Sequence, residues 1–248
     1  MTATTGRISF WRMTDRRALV LFGDVVDSRR DAVGSTAWLR DLVADLDAVY
    51  VGQRFAPFGF SHGDEMQGLL ESEADPFIAI LRSALAPAGR RMRWVFVRGE
   101  VDPDPTEGRA AATERTGPAF IKARAAMDAT GSGHERLVIL TGEAGVDRLL
   151  ADLAPTLVDL LDSLTERQRT VARLALIDDL RQSQVADRLN IRRATVSVAF
   201  SRARIRSLAR FVEGLRLVYA GARELAGARE AADWRPPAAS DGPLPGLE

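Results

Sequence analysis

Every strand-like apolar run in this chain lies before residue 143, and the periodic segments after it read as helix, so two unlike units must be built in succession. The first run, ALVLFGDVVDSR (18–29), opens with continuous Val- and Leu-rich sequence. That pattern predicts a strand buried on both faces and ending near Asp24. Trp38, Leu39, Leu42, Leu46 and Val49 follow at helical spacing, with Ser35 as the expected N-cap of a helix over 35–51. Residues 54–60 and 66–71 read as two short strands, which places Gly63, Asp64 and Glu65 at a hairpin tip. A helix over 75–89, stopped by Pro87 and Gly89, leads to a strand over 91–101. An exposed loop (102–117), a helix over 118–131 with Pro118 in its first turn, and a strand over 136–142 complete the unit. The order β-α-β-β-α-β-α-β predicts an α/β (α+β) domain with a ferredoxin-like sheet backed by helices.

Composition removes several kinds of chemistry. The 248 residues include no cysteine, which excludes a disulfide framework, a thiolate zinc site and a cysteine nucleophile. Only His62 and His134 are histidine, so a His-rich metal site is excluded too. His62, with no partner in sequence, suits a turn role. No run of about 18 apolar residues exists and MTATTGRISFWRMTDRR lacks a secretory apolar core. A cytoplasmic protein without a membrane segment is expected.

If Asp24 ends one strand and Asp64 sits at the tip of the next hairpin, neighbouring strands bring two carboxylates together beside a backbone carbonyl. Such a set of hard oxygens suits Mg²⁺ or Mn²⁺, ions that keep water and bind phosphates. The same residues also suit a turn and a helix cap without any ligand. Glu65 reads either as a third ligand or as a hairpin charge. Lys122 and Arg98 read either as phosphate contacts or as solvated surface.

The motifs FGDVVDSR, HGDEMQGLL, WVFVRGEV and TGPAFIKARAAM stand in an order and at intervals that resemble the SatD family. They are also similar to the four core elements of class III nucleotidyl cyclases, over about residues 17–142. The resemblance implies a nucleotidyl cyclase-like fold, Asp24 and Asp64 as metal ligands, and a nucleotide held near Val25, Glu65, Lys122 and Arg124. Two positions depart from the cyclase pattern. Phe60 stands where a base-reading Lys is usual, and Phe120 where an Asn is. Loss of one preorganised donor of this kind costs about 10²–10³-fold in rate. The expectation is a degenerate cyclase-like sensor of nucleotide and Mg²⁺, with an active cyclase as the competing reading.

The second unit carries a different signal. Thr165 suits an N-cap, a short helix spans 182–189, Asn190 suits a left-handed turn, and a longer helix starts near Arg193. Ala186 lies before that turn, and Val196 and Ala199 after it. This is the layout of a helix-turn-helix, in which a small residue lets the helices approach and the apolar pair closes a miniature core. From Thr165 to Arg210 eleven arginines face four acids, a net of +7 in a chain whose formal net charge is zero. So localised a positive charge is a phosphate-binding footprint. Use of the same module for protein contact alone is the bland alternative.

The patterns LTERQR and TVSVAFSRAR resemble sigma-factor region 4 and LuxR-type helix-turn-helices. By that resemblance Arg192, Arg193, Thr195, Ser197, Val198, Ser201 and Arg202 face the major groove of double-stranded DNA. Arg204 and Arg206 contact phosphates, and RNA polymerase is a further candidate partner. Beyond the module an apolar stripe of Leu208, Phe211, Val212, Leu215, Val218, Tyr219 and Leu225 must pack on a homodimer partner or on the first domain. Six segments are therefore expected. They are an N-terminal extension (1–16), a cyclase-like domain (17–142), a helical connector broken at Pro155 (143–163), a helix-turn-helix domain (164–211), a C-terminal helix (212–233) and a disordered tail (234–248). The whole reads as a sequence-specific DNA-binding regulator.

Overall fold

The computed structural model describes residues 17–61, 64–103, 110–130 and 136–233. His62 and Gly63, the N-terminal extension and the tail lie outside these. The sheet unit runs β1 (Arg17–Val25), α1 (Ala32–Val49), β2 (Arg54–Ser61), β3 (Glu65–Glu71), α2 (Pro76–Ala84), β4 (Met92–Glu100), α3 (Pro118–Ala129) and β5 (Leu137–Leu140). Its strand order is β2-β3-β1-β4-β5. β1 is antiparallel to β3 and to β4, β2 is antiparallel to β3, and β5 joins β4 in parallel. The first four strands are the ferredoxin-like arrangement expected from the sequence, with β5 added at one edge.

β1 occupies the centre because both of its faces are apolar. Leu19, Leu21 and Val25 enter the core under α1 and α2, while Ala18, Val20 and Phe22 enter a second, smaller core under α3. The alternation of the strand places Asp24 at the end of the α3-facing row. A helix can lie close on that face because Gly99 of β4 offers Ala119 an open surface: a Cβ there would stand 3.3 Å from the alanine methyl. At Gly117, φ is 133°, and an added Cβ would strike the backbone of Val101 and Asp102. That turn into α3 requires glycine.

Helices make up the rest: α4 (Ala144–Asp162), α5 (Glu166–Leu176), α6 (Gln182–Leu189), α7 (Arg193–Arg202) and α8 (Ile205–Asp233). Three expectations are corrected. The cap of α1 is Asp31, whose carboxylate accepts from the Gly34 N–H at 3.0 Å, and Ser35 is buried inside the helix. Pro155 does not break the connector. α4 continues through it because Val146, Leu150, Ala154, Leu157 and Leu161 bury one continuous face, which outweighs a proline's usual cost of about 3 kcal/mol. The third concerns the boundary at 211/212, which falls inside unbroken α8.

The apolar stripe of α8 packs mainly on α4 of the same chain, and its Tyr219 turn reaches the sheet unit. Leu208, Val212, Leu215, Tyr219 and Ala222 are buried, with Phe211 and Val218 half-buried beside them, while Leu225 is exposed. Tyr219 meets Phe77 edge-on with centroids 6.4 Å apart, and the Arg98 guanidinium covers its ring at 4.4 Å. One turn earlier Arg216 donates to Asp75 at 2.7 Å, and Asp75 also caps α2 by accepting from the Phe77 N–H. Tyr219→Ala is expected to lower the unfolding free energy by about 3–5 kcal/mol. Urea unfolding followed by tryptophan fluorescence and by circular dichroism checks this; a loss below about 1 kcal/mol would show that the ring is not a principal contact.

Candidate functional site

The α3-facing end of β1 gathers charge. Asp24 stands opposite Glu65 on β3 and opposite Arg93 on β4 in the ladder register. Its carboxylate is paired with Arg93 and is almost wholly buried. Glu65, also buried, holds Arg124 of α3 in a two-pronged pair, both N–H···O distances 2.6 Å, and accepts from Gln67 Nε2 at 3.1 Å. This pairing raises the Arg124 pKa, against the opposing effect of partial burial. The Arg124 guanidinium also lies 4.7 Å from the Phe22 ring centroid. Asp64 sits one residue before β3. Its carbonyl accepts from the Val25 N–H at 3.2 Å and its carboxylate from Ser28 Oγ at 2.5 Å.

The structure thus brings Asp24, Val25, Asp64, Glu65 and Arg124 to one corner of the sheet. Lys122 is exposed on α3, two residues before Arg124. Arg98 is buried, donates to the Ser72 carbonyl at 3.1 Å and stacks on Tyr219, so it belongs to the packing of α8. Phe120 is buried with its ring 6.2 Å from Phe22, so hydrocarbon fills that position. Phe60 is partly exposed on β2.

As a donor set for Mg²⁺ the corner offers carboxylates, ligands of the kind such an ion takes, with Asp24 and Glu65 each paired to an arginine. Among the described residues no group of three or more His, Cys, Asp or Glu side chains converges on one point. The sequence reading missed Arg93, Ser28 and Gln67, the partners that hold these acids. An arginine between the apolar Met92 and the apolar run Trp94–Val97 is the signal that could have found the first.

The helical half is built on a small core of Val171, Ala172, Leu174, Val185, Ala186, Val196 and Ala199. Thr165 caps α5 through a capping box with Gln168, each accepting from the other's N–H, at 3.4 and 2.9 Å. Asn190 closes α6 in the left-handed region at φ 50°, ψ 49°, and the Ile191 N–H returns to the Ala186 carbonyl at 3.0 Å. Two further left-handed turns, at Asp179 (φ 51°) before α6 and Arg204 (φ 49°) after α7, were not foreseen.

α7 buries Val196 and Ala199 and turns the opposite face to solvent. Arg192, Arg193, Ser197, Val198, Ser201 and Arg202 are exposed, and Thr195 is half-buried beside the core. Arg204 and Arg206, both exposed, lie at the break after α7 and in the first turn of α8. Five arginines in the sheet unit meet acids: Arg54–Asp47, Arg82–Asp45, Arg90–Asp31, Arg93–Asp24 and Arg124–Glu65. Among the described residues Arg192, Arg193, Arg202, Arg204 and Arg206 form no ion pair. Moreover, α7 has no side-chain cap and no acid in its first turn, so Arg192 and Arg193 stand at the positive end of its dipole. Within the chain that placement is unfavourable; beside a phosphate it is favourable.

Residues 156–206 match the family model for Sigma-70, region 4. The match covers about one fifth of the chain and includes α5, α6 and α7. It supports a DNA-binding helix-turn-helix of transcription regulation over those residues. No curated protein is matched. Among solved structures, the regulator of polyketide synthase expression from Bifidobacterium adolescentis is 15% identical over 82% of this chain and 86% of that one, with a TM-score of 0.24. So low a score carries no argument. No helix among the described residues is long and apolar enough to cross a membrane.

A double-mutant cycle on Glu65→Gln and Arg124→Gln is expected to give a coupling of about 1 kcal/mol, discounted because the Arg124 side chain is 41% exposed. Additive effects in urea unfolding would show that the pair does not act as a unit.

Proposed function

We propose that the protein is a sequence-specific DNA-binding transcriptional regulator that reads a major groove through α7, and that its sheet unit binds a nucleotide with Mg²⁺ as input. The observation that carries the first part is the exposed, acid-free arginine set of α7 on a chain of zero net charge. Arg192, Arg193, Ser197, Val198, Ser201 and Arg202 are assigned to the groove, with Thr195 at its margin, and Arg204 and Arg206 to phosphates. Two such helices in a homodimer would read two half-sites, although the α8 stripe, spent on α4 and the sheet unit, gives that assembly no support. RNA polymerase is the second partner that the Sigma-70 region 4 match favours.

For the input, Asp24 and Asp64 are the oxygen donors assigned to Mg²⁺, which when bound would supply charge to offset a phosphate chain, and Val25 is assigned to the nucleotide beside them. Arg124 and Lys122 are assigned to phosphate oxygens and Glu65 to orienting Arg124. The buried Phe120 leaves no donor where a cyclase needs one, which favours sensing over turnover.

Arg192→Ala with Arg193→Ala is expected to weaken DNA binding at least tenfold at low salt. The preference for specific over competitor DNA should fall with it, whereas Arg204→Ala with Arg206→Ala should flatten the slope of log K against log salt by about two, one phosphate contact per arginine. Because Arg192 and Arg193 oppose the helix dipole, the variant lacking both should keep or slightly raise its melting temperature. An unchanged isotherm would sink the DNA assignment, and a lowered melting temperature would make those two arginines structural. For the input, Asp24→Ala should abolish Mg²⁺-dependent binding of nucleoside triphosphate in calorimetry; equal affinity would remove the metal site.

A further inference from the structure

At the junction of the sheet unit and the helix-turn-helix, the loop before β4, the end of α4 and the first turn of α5 enclose a cleft. It holds about 420 Å³ of free space, part of it open to solvent. Arg90, Arg91, Arg136 and Arg169 line it against a single lining carboxylate, Asp162. That one acid is shared: Arg91 Nε donates to Asp162 Oδ2 at 3.1 Å, and Arg136 pairs with the same oxygen. Arg90 is paired with Asp31 from outside the cleft.

Arg169 differs from the others. Its Nη2 reaches the Leu164 carbonyl at 3.5 Å, its Nε is buried without a partner, and among the described residues no acid pairs with it. Arg54 and Arg93 also bury an unbonded Nε, but their guanidinium groups meet Asp47 and Asp24, and Arg98 lies on Tyr219. On the inner wall Trp94 is satisfied, its Nε1 donating to Ser83 Oγ at 3.2 Å. The cleft therefore keeps surplus positive charge, and its one acid-free guanidinium belongs to the helix that opens the DNA-binding module. A planar guanidinium fork with free donors matches a tetrahedral oxyanion.

We propose that this cleft is an anion site, taking inorganic phosphate or the phosphoryl group of a small metabolite, with Arg169 as its principal ligand. The site is separate from the Asp24 corner and does not depend on the nucleotide reading. Its occupant would bridge α5 to the loop before β4, linking the two units through a ligand.

The test is calorimetry and thermal melting of the full chain with inorganic phosphate and with ribose 5-phosphate, at constant ionic strength set by chloride. Saturable heat and a raised melting temperature are expected for wild type and for Arg192→Ala with Arg193→Ala, whose changes lie on the DNA face. Arg169→Gln should bind at least tenfold more weakly, with Arg90→Gln as a second, rim variant that weakens binding severalfold should Arg169→Gln fail to fold. Tighter binding of ribose 5-phosphate would assign the site to a metabolite's phosphoryl group, and tighter binding of inorganic phosphate to the free ion. Equal binding by wild type and the cleft variants, loss of binding in the DNA-face variant instead, or no saturable heat would overturn the proposal.

Discussion

The contact on which the rest of the structure depends is the seating of α8 against α4 and, through Tyr219, against the sheet unit. Tyr219 lies between the Phe77 edge and the Arg98 guanidinium, and Arg216 closes on Asp75 one turn away. Asp75 in turn caps α2, and its carbonyl accepts from the buried Tyr50 hydroxyl at 2.6 Å. Burial holds that hydroxyl well above the usual tyrosine range, so it stays a neutral donor. α8 begins three residues after the end of α7, so the seating of α8 joins α5 and α6 in fixing where α7 lies. The apolar core runs without interruption from β1 through α4 and α8 to Val196 and Ala199.

That continuity gives the DNA reading its physical basis. A ten-residue helix with arginines at its positive end would fray if left alone. Here its inner face is held by α5 and α6, and the outer face is free to carry charge without acid partners. The contrast with the sheet unit fits the proposed function: arginines that meet Asp47, Asp45 or Glu65 hold elements together, and those with no acid among the described residues are the ones assigned to DNA.

Much of this was legible in the sequence, for reasons that are local. The ferredoxin-like order follows from the spacing of apolar runs, and the turn at Asn190 follows from the tolerance of asparagine for the left-handed region. The cap of α1 was misread because Ser35 and Asp31 are both good caps, and the structure gives the role to Asp31, whose carboxylate meets the Gly34 N–H. Pro155 was misread because a proline's local cost is visible in sequence while the burial of Leu150, Ala154 and Leu157 that offsets it is not. The apolar stripe of α8 was legible, but its partner was not: only the fold places Phe77 and Arg98 opposite Tyr219. For the candidate site, the sequence marked Asp24, Asp64, Glu65 and Arg124. It was silent on Arg93 and Ser28, which reach those acids only after strands and turns have formed.

The central claim is tested most directly by the affinity of the purified full-length protein for DNA from its own upstream region, measured at two salt concentrations against non-specific competitor. The account predicts binding at least a thousandfold tighter than to competitor DNA and weakening steeply with salt, as expected when several arginines displace counterions. Binding that is absent, or that does not change with salt, would contradict it.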